Sequence, residues 1–325
     1  MVEDLELATG DQVRDVRPLR GGVASDIAEL RVGDLHLCVK FALPKLRVQE
    51  EWLAPVHRNK AEYDWLSFVG WISPANAPRL FGRSEHLHGF VMEFLSGERT
   101  YLWKDAMFAG EDDRSEAVAV AQILGVIHAA STAQDFDTRP FQNCDDFRTL
   151  RIEPYLLFTA TRHPEVAQQL HALADRLYDT RIALVHGDVS PKNIMFRNGA
   201  AIILDAECAT MGDPAFDVAF CLNHLLLKAV HMPVMRDRML SDTLKFCDAY
   251  LTHVSWEDPA ALEARVAALV PALLLARVDG KSPVEYLRDS AHETVRRLAK
   301  PLIQTPPGTL ADLVAVIQSD REHHD

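Results

Sequence analysis

No apolar run in this sequence reaches the roughly 20 residues that a membrane-spanning helix needs, so no membrane association is expected. There is no C-x-x-C pair, and the five cysteines (Cys38, Cys144, Cys208, Cys221 and Cys247) are scattered and odd in number. That pattern argues against a disulfide framework and for reduced thiols in a cytoplasmic protein. Positive charge is in short supply: 34 Lys and Arg face 47 Asp and Glu, a formal net charge of -13. A chain of that sign is a poor binder of phosphate backbones, so nucleic acid is not an expected partner. The acidic amino terminus, MVEDLELATGDQVRD, lacks the apolar core of a secretory leader. No internal repeat, low-complexity tract or long linker interrupts the chain, and G-x-G-x-x-G is absent.

What is present is ordinary globular composition, 48% apolar and 25% charged over 325 residues, enough for two cooperating lobes. Residues 13–19, 27–32 and 35–41 predict a small antiparallel sheet, the last two strands joined at Gly33-Asp34. The loop RGGVASD between the first two strands holds Gly21, Gly22 and Ser25. Bare backbone N–H groups at Gly21-Gly22 can approach phosphate oxygens, although an ordinary glycine-containing hairpin has the same composition. Lys40 lies within the apolar strand LCVKFAL. If its face is buried, the ammonium needs an anionic partner; an exposed edge lysine does not. Residues 57–69 predict a helix that places Glu62 beside Trp65, Leu66 and Val69. Pairing with Lys40 accounts for a carboxylate on that apolar face; a solvated boundary position does so equally. Strands are predicted at 78–83 and 87–94. The second runs into the connector VMEFLSG, where the backbone of Glu93–Leu95 can meet a flat heterocycle.

The most informative stretch is 184–207, LVHGDVSPKNIMFRNGAAIILDAE. Asn198-Gly199 predicts a two-residue type I′ turn, because both residues tolerate positive φ. Counting outward from that turn sets Asn193 opposite Leu204 and Lys192 opposite Asp205. An amide oxygen and a carboxylate then converge at the open end of one hairpin, which suits a hard cation. Mg²⁺ usually takes one or two protein oxygens and fills its shell with water and phosphate, so a Mg·nucleotide site is indicated. Asp188 follows the predicted strand 182–185 and the turn His186-Gly187. A carboxylate there can accept or orient the hydrogen bond of an acceptor hydroxyl. A merely turn-forming Asp would leave Asn193 and Asp205 unexplained. Glu207, two residues beyond Asp205, either assists the metal or bonds the loop backbone. Ser190 and Lys192 lie within reach of a phosphate oxygen, their directions illegible here. Asp213-Pro214 opens a helix to about 231, on which Asp217 braces the loop.

Further helices are predicted at 115–130, where His128 is a core residue, and at 164–179, 236–254, 258–278, 283–299 and 309–319. Residues 131–150 look loop-rich. In 273–287, LLLARVDGKSPVEYL, Gly280 suits a helix C′ position and Ser282-Pro283-Val284-Glu285 is a capping box. That leaves Arg277, Asp279 and Lys281 as a charge cluster facing an acceptor. Two cations there fit a polar or anionic acceptor better than a polycationic one.

With HGDVSPKN at 186–193, ILDAE at 203–207 and GDPAFDVA at 212–219, the chain resembles the aminoglycoside phosphotransferase and choline kinase group. Protein kinases carry H-R-D and D-F-G instead, and no A-P-E-like segment follows Asp205. The segment LNHLLLKAVH at 222–231 is similar to the methylthioribose kinases. The resemblance implies an α+β, bilobal protein-kinase-like fold. A nucleotide-binding lobe would occupy 1–95, and a catalytic and acceptor-binding helical lobe 96–325. It implies an ATP-dependent enzyme, with GTP an open alternative, acting on a small-molecule acceptor. Lys40 would contact the α/β-phosphates and pair with Glu62. Glu93 and Leu95 would present backbone to the base, and Gly21, Gly22, Ser25 and Ser190 would approach phosphate. Asp188 would be the catalytic base or hydroxyl-orienting group, and Asn193 and Asp205 would bind Mg²⁺. Candidate acceptor-binding residues are Glu207, Arg277, Asp279 and Lys281. The short RGGVASD loop departs from the group's pattern. A nucleotide-binding scaffold without catalysis is the competing possibility; it would be expected to lack one of Lys40, Asp188, Asn193 and Asp205.

Overall fold

In the computed structural model, residues 1–19, 25–45 and 55–320 are described. Gly21 and Gly22 lie outside them. The chain begins with an antiparallel sheet of five strands in the order β1-β2-β3-β5-β4. These are β1 (Val13–Pro18), β2 (Ser25–Val32), β3 (Leu35–Ala42), β4 (Leu80–Ser84) and β5 (Gly89–Glu93). Helix α1 (Arg58–Ile72) packs on one face. Alternation along β3 divides its side chains between two cores. Leu37 and Val39 join Leu30, Val32 and Val91 on the outer face, which Met1, Val2, Leu5 and Leu7 cover. Cys38 joins the main core together with α1.

The connector leads to β6 (Thr100–Leu102) and α2 (Trp103–Ala109), and from there the chain is mostly helical. Helix α3 (Glu116–Ser131) is followed by α4 (Cys144–Phe147), a π-helical stretch Arg148–Leu157, and α5 (Phe158–Arg162). This run replaces the end of the loop expected over 131–150. Pro154 removes a helical donor and the turns widen, so the 3.6-residue pattern that marks a helix is lost. Next come α6 (Ala167–Asp179) and β7 (Ala183–Val185), which pairs with β10 (Thr210–Gly212). Between them β8 (Ile194–Arg197) and β9 (Ala200–Ile203) form the predicted hairpin, with β6 on the outer side of β8.

Helix α7 (Ala215–His231) is buried along nearly all its length and packs against α8 (Arg236–Leu251) and α9 (Pro259–Asp279). Pro214 is the N-cap of α7, one residue later than expected, and the Asp213 carboxylate accepts the Ala215 N–H at 3.0 Å. Among the described residues α9 alone is long and apolar enough to cross a membrane by length and composition. The sequence reading found no such run, because Glu263 and Arg265 interrupt it. In the fold, the apolar residues of α9 lie in the main core against α7 and α10. The chain ends with α10 (Asp289–Gln304) and α11 (Leu310–Ser319).

The helix expected at 283–299 thus starts six residues late, and the capping box does not form. Arg277 donates to the Ser282 carbonyl and, at 3.2 Å, to its hydroxyl, so that hydroxyl is taken before it can cap. Gly280 follows α9 with extended backbone, not a left-handed one. Glycine is required there by crowding, since a Cβ would lie 2.3 Å from the Ala276 carbonyl oxygen.

Candidate active site

The site is built from an ion network, a hairpin mouth and a loop. The network begins on β3, where Lys40 is buried at 3% exposure. Its ammonium is 2.6 Å from Glu62 of α1, contacts Asp205, and lies 3.5 Å from Glu207. The predicted Lys40–Glu62 pair is therefore present, and the solvated alternatives for both residues fall. Burial alone would lower the Lys40 ammonium; Asp205, Glu62 and Glu207 raise it well above its ordinary value. Arg58, one turn before Glu62, donates Nε to Glu207 at 2.8 Å. Ser25 donates its hydroxyl to the same carboxylate at 2.5 Å. Oxygens of Glu62, Asp205 and Glu207 lie within 4.8 Å of one another. Burial raises the Glu62 carboxyl to about 7 although Lys40 acts against it. Asp205 is the most exposed of the three carboxylates.

The hairpin register is as predicted: Arg197 pairs with Ala200, Phe196 with Ala201 and Ile194 with Ile203. Asn198 and Gly199 both have positive φ, 54° and 83°, as the turn demands. The Leu204 N–H donates to the Asn193 carbonyl at 2.8 Å, so Asn193 and Asp205 meet at the open end. The Asn193 Nδ2 donates to the Asp188 carbonyl at 3.1 Å, leaving Oδ1 for other partners. Asp205, at φ 70°, breaks the extended run and receives support from Glu62, which accepts its N–H at 3.1 Å. Asn193 and Asp205 at one hairpin mouth, with Glu62 and Glu207 oxygens within 4.8 Å of that of Asp205, fit a hard divalent cation.

The loop between β7 and β8 carries Asp188. Asp217 accepts the His186 and Gly187 N–H groups at 2.6 and 2.8 Å and braces the loop as expected. His128 completes that brace, contacting Tyr250 at 2.7 Å and Asp217 at 3.3 Å. At Gly187 φ is 84°, and a Cβ would lie 2.9 Å from the Cys208 Cβ, so no other residue fits easily. His186 Nδ1 accepts the Asp188 N–H at 3.0 Å, which leaves Nε2 to donate to the Leu204 carbonyl at 3.1 Å. Burial lowers this imidazole, so it stays neutral and ties the loop to the hairpin. The Trp65 ring of α1 meets it edge-on at 4.9 Å. The Asp188 carboxylate, 6% exposed, receives Arg151 Nη2 at 3.1 Å, Ser190 Oγ at 3.1 Å and lies 3.3 Å from Lys192. Burial would raise Asp188, but Lys192 and Arg151 hold it well below the usual carboxylate range. Arg151 also donates to the Gly187 carbonyl.

Other predicted residues are dispersed. Glu93 sits at the end of β5, its N–H on the Arg79 carbonyl at 2.8 Å and its carboxylate 2.5 Å from Arg197. Leu95, just beyond, is buried. The Ser190 hydroxyl donates to Asp188. Glu207, expected to assist the metal, to bond the loop backbone or to face the acceptor, turns its carboxylate to Ser25, Arg58 and Lys40, within 4.8 Å of oxygens of Glu62 and Asp205 as the first of these requires. Left-handed backbone at Asp205 turns the following residues out of the extended line assumed for them. Asp279 is not in a cluster with Arg277 and Lys281. It accepts His163 Nε2 at 2.8 Å and Arg296 at 2.8 and 2.7 Å, locking α9 to α10. Lys281 gives its N–H to the Pro154 carbonyl at 2.9 Å. Arg277 does approach the site: it donates to the Tyr155 hydroxyl at 3.1 Å, and its charge acts on Lys192 and His224.

Four functional residues escaped sequence reasoning. Arg58 shares the i, i+4 face of Glu62 and was findable by the same spacing. Arg151 sits on the π-helical stretch, where no periodicity points to it. His224 and Lys228 of α7 are buried among apolar neighbours in a helix that reads as pure core.

A family model described as "Phosphotransferase enzyme family" matches residues 15–237. A methylthioribose kinase of Pectobacterium atrosepticum is 24% identical over 82% of this chain and 79% of its own length. A methylthioribose kinase of Erwinia tasmaniensis is 26% identical over 62% of this chain and 56% of its own length. An amicoumacin kinase solved with AMP-PNP and Ca²⁺ superposes with a TM-score of 0.57 at 18% identity, covering 94% of this chain and 92% of that one. A choline/ethanolamine kinase family protein of Mesorhizobium loti gives 0.54 at 14% identity, over 95% and 94% of the two chains. These likenesses show the fold, an α+β kinase-like one with an antiparallel sheet first and helices after.

Proposed function

The chain belongs to the phosphotransferase enzyme family, and on that premise we infer that it transfers the γ-phosphoryl group of Mg·ATP directly to a hydroxyl of a small polar acceptor. The observation that supports this is the hairpin mouth, where Asn193 bonds the Asp188 carbonyl, Leu204 bonds Asn193, and the next residue, Asp205, contacts Lys40. The sheet region, residues 1–95, serves the nucleotide and the helical region, 96–325, the acceptor.

Glu62 holds Lys40 in place for the α/β-phosphates, and the backbone of Glu93 and Leu95 borders the base. Ser25, at the start of β2, stands on the phosphate side, and Gly21 and Gly22 lie outside the described residues. Asn193 and Asp205 are the residues that would hold Mg²⁺, which neutralises phosphate charge when bound. Asp188 accepts the hydrogen bond of the attacking hydroxyl, aligning its oxygen with phosphorus as the bond to the leaving ADP breaks. A carboxylate held this far below its usual range aims a lone pair more effectively than it takes up a proton. Arg151, Lys192 and Ser190 fix its rotamer.

The relatives' names place pentoses of the methylthioribose type on the acceptor panel, beside amino sugars and amino alcohols. Acceptor-dependent ADP release with Mg·ATP tests the proposal. Asp188→Asn is expected to slow turnover by roughly 10²–10⁴-fold with ATP binding retained. ATP binding without acceptor-dependent ADP release across the panel would favour a non-catalytic scaffold.

A further inference from the structure

Lys228 lies one turn beyond His224 on α7, about 6 Å along the same face, and is 2% exposed. Among the described residues no carboxylate pairs with its ammonium, which lies 5.5 Å from the Phe108 ring centre and 5.2 Å from that of Tyr286. Two ring faces offset part of the cost of burying a charge, but a lone ammonium in the interior remains expensive. Two more donors nearby lack acceptors: Arg277 Nε and the Tyr286 hydroxyl are buried without a hydrogen-bond partner. The rest of Arg277 contacts only neutral groups, the Tyr155 hydroxyl and Ser282. Two cations and a phenol therefore stand together with no anion among them.

His224, one turn before Lys228 on α7, is buried, and the charges of Arg277, Lys228, Asp188 and Lys192 all act on it, which links this cluster to Asp188. The two cations beside Asp188 share its carboxylate, and Asp205 also acts on Lys192; among the described residues those around Lys228 have no carboxylate. Phe108, His231, Tyr286 and Arg277 are each half-buried, so the rim of the cluster is reachable from solvent.

We propose that Lys228, Arg277 and Tyr286 bind an anionic group of the acceptor, a carboxylate or a phosphate monoester, while the hydroxyl to be phosphorylated meets Asp188. This rests on the phosphotransfer function inferred above and names the acceptor class. Burial pushes Lys228 down to about 7, with Lys104 and Arg277 adding to it. An arriving anion restores full charge to the ammonium and supplies the missing hydrogen-bond acceptor.

The test uses the full chain with Mg·ATP and acceptors sharing one skeleton: a pentose, its aldonic acid and its phosphate monoester. One of the anions is expected to exceed the neutral sugar in kcat/KM by at least about tenfold; whichever arm responds identifies carboxylate or phosphate. Lys228→Met should raise KM for that anion about 10- to 100-fold with kcat within threefold, and Lys228→Arg should recover most of the loss. A neutral sugar matching or surpassing both anions would overturn the proposal, as would a folded Lys228→Met protein with unchanged KM. If no acceptor releases ADP, the phosphotransfer function itself falls. Thermal shift by the aldonic acid and the phosphate monoester, in the presence of AMP-PNP, then decides the anion site separately. A shift lost in Lys228→Met upholds it; no shift in the wild type rejects it.

Discussion

Arg151 and Asp188 form an ion pair, Nη2 to Oδ2 at 3.1 Å, across 37 residues of sequence. The same guanidinium donates Nε to the Gly187 carbonyl, so one side chain fixes both the backbone and the carboxylate of the loop. Arg151→Met should lower kcat/KM by about 10²-fold, the scale of a misplaced reacting group. Nucleotide binding should persist, because Arg151 touches none of the Lys40 network. Turnover within twofold of wild type would show that Ser190 and Lys192 hold Asp188 unaided.

How much of this was legible in the sequence depends on the range of the contact. The hairpin register was readable because Asn198-Gly199 fixes it locally, and everything at its mouth followed by counting. Lys40 and Glu62 were readable because each breaks an apolar pattern that its element otherwise keeps. Arg151 was not, since a π-helical stretch with Pro154 inside has no period to break. The charge cluster drawn from Arg277, Asp279 and Lys281 failed for a related reason. Sequence spacing says nothing about Arg296 and His163, which claim Asp279 from α10 and from the end of α5. The capping box failed because Arg277 competes for Ser282, a long side chain reaching forward five residues.

Glu207 contacts Ser25, Arg58 and Lys40, and Glu207→Gln tests whether it serves the nucleotide side. The substitution removes the negative charge that the Arg58 guanidinium, 0% exposed, meets at 2.8 Å. Breaking one partner out of such a pair costs about 3–5 kcal/mol. Chemical denaturation should show a loss of that order, accompanied by a raised KM for ATP as Lys40 and Ser25 lose a neighbour. A raised acceptor KM with ATP unaffected would return Glu207 to the acceptor side.

Asp279→Asn separates scaffold from site at the other end of the molecule. The carboxylate accepts from His163 and twice from Arg296. Burial would raise it, but those hydrogen bonds hold it below its ordinary value. Losing the charge should lower stability by about 1–3 kcal/mol, through weakened charge-assisted bonds. kcat and both KM values should stay within twofold. A selective rise in acceptor KM would contradict the scaffold role.

The solitary Lys228 makes stability depend on pH in an uncommon direction. Its ordinary lysine value of 10.5 is pushed down to about 7 by burial, with Lys104 and Arg277 opposing its charge further and Cys221 acting the other way. His224, His231 and Tyr286 are the other titratable groups near it. Between pH 7 and 10.5 the unfolded chain therefore binds a proton that the native one has released, so stability rises with pH across that window. Below about 7 both states are protonated and the penalty of the buried charge is complete. Lys228→Met removes the group and keeps its bulk. It should stabilise the protein by about 1–4 kcal/mol near pH 6.5, and by progressively less as pH approaches 10. Urea denaturation of both proteins at pH 6.5 and 9.5 reads the difference directly. The same variant should lose affinity for anionic acceptors, so a gain in stability would accompany a loss of binding. That opposition is the mark of a residue kept for binding and not for the fold. A variant that is less stable at pH 6.5 would mean that the ammonium already has a partner and that no anion is missing.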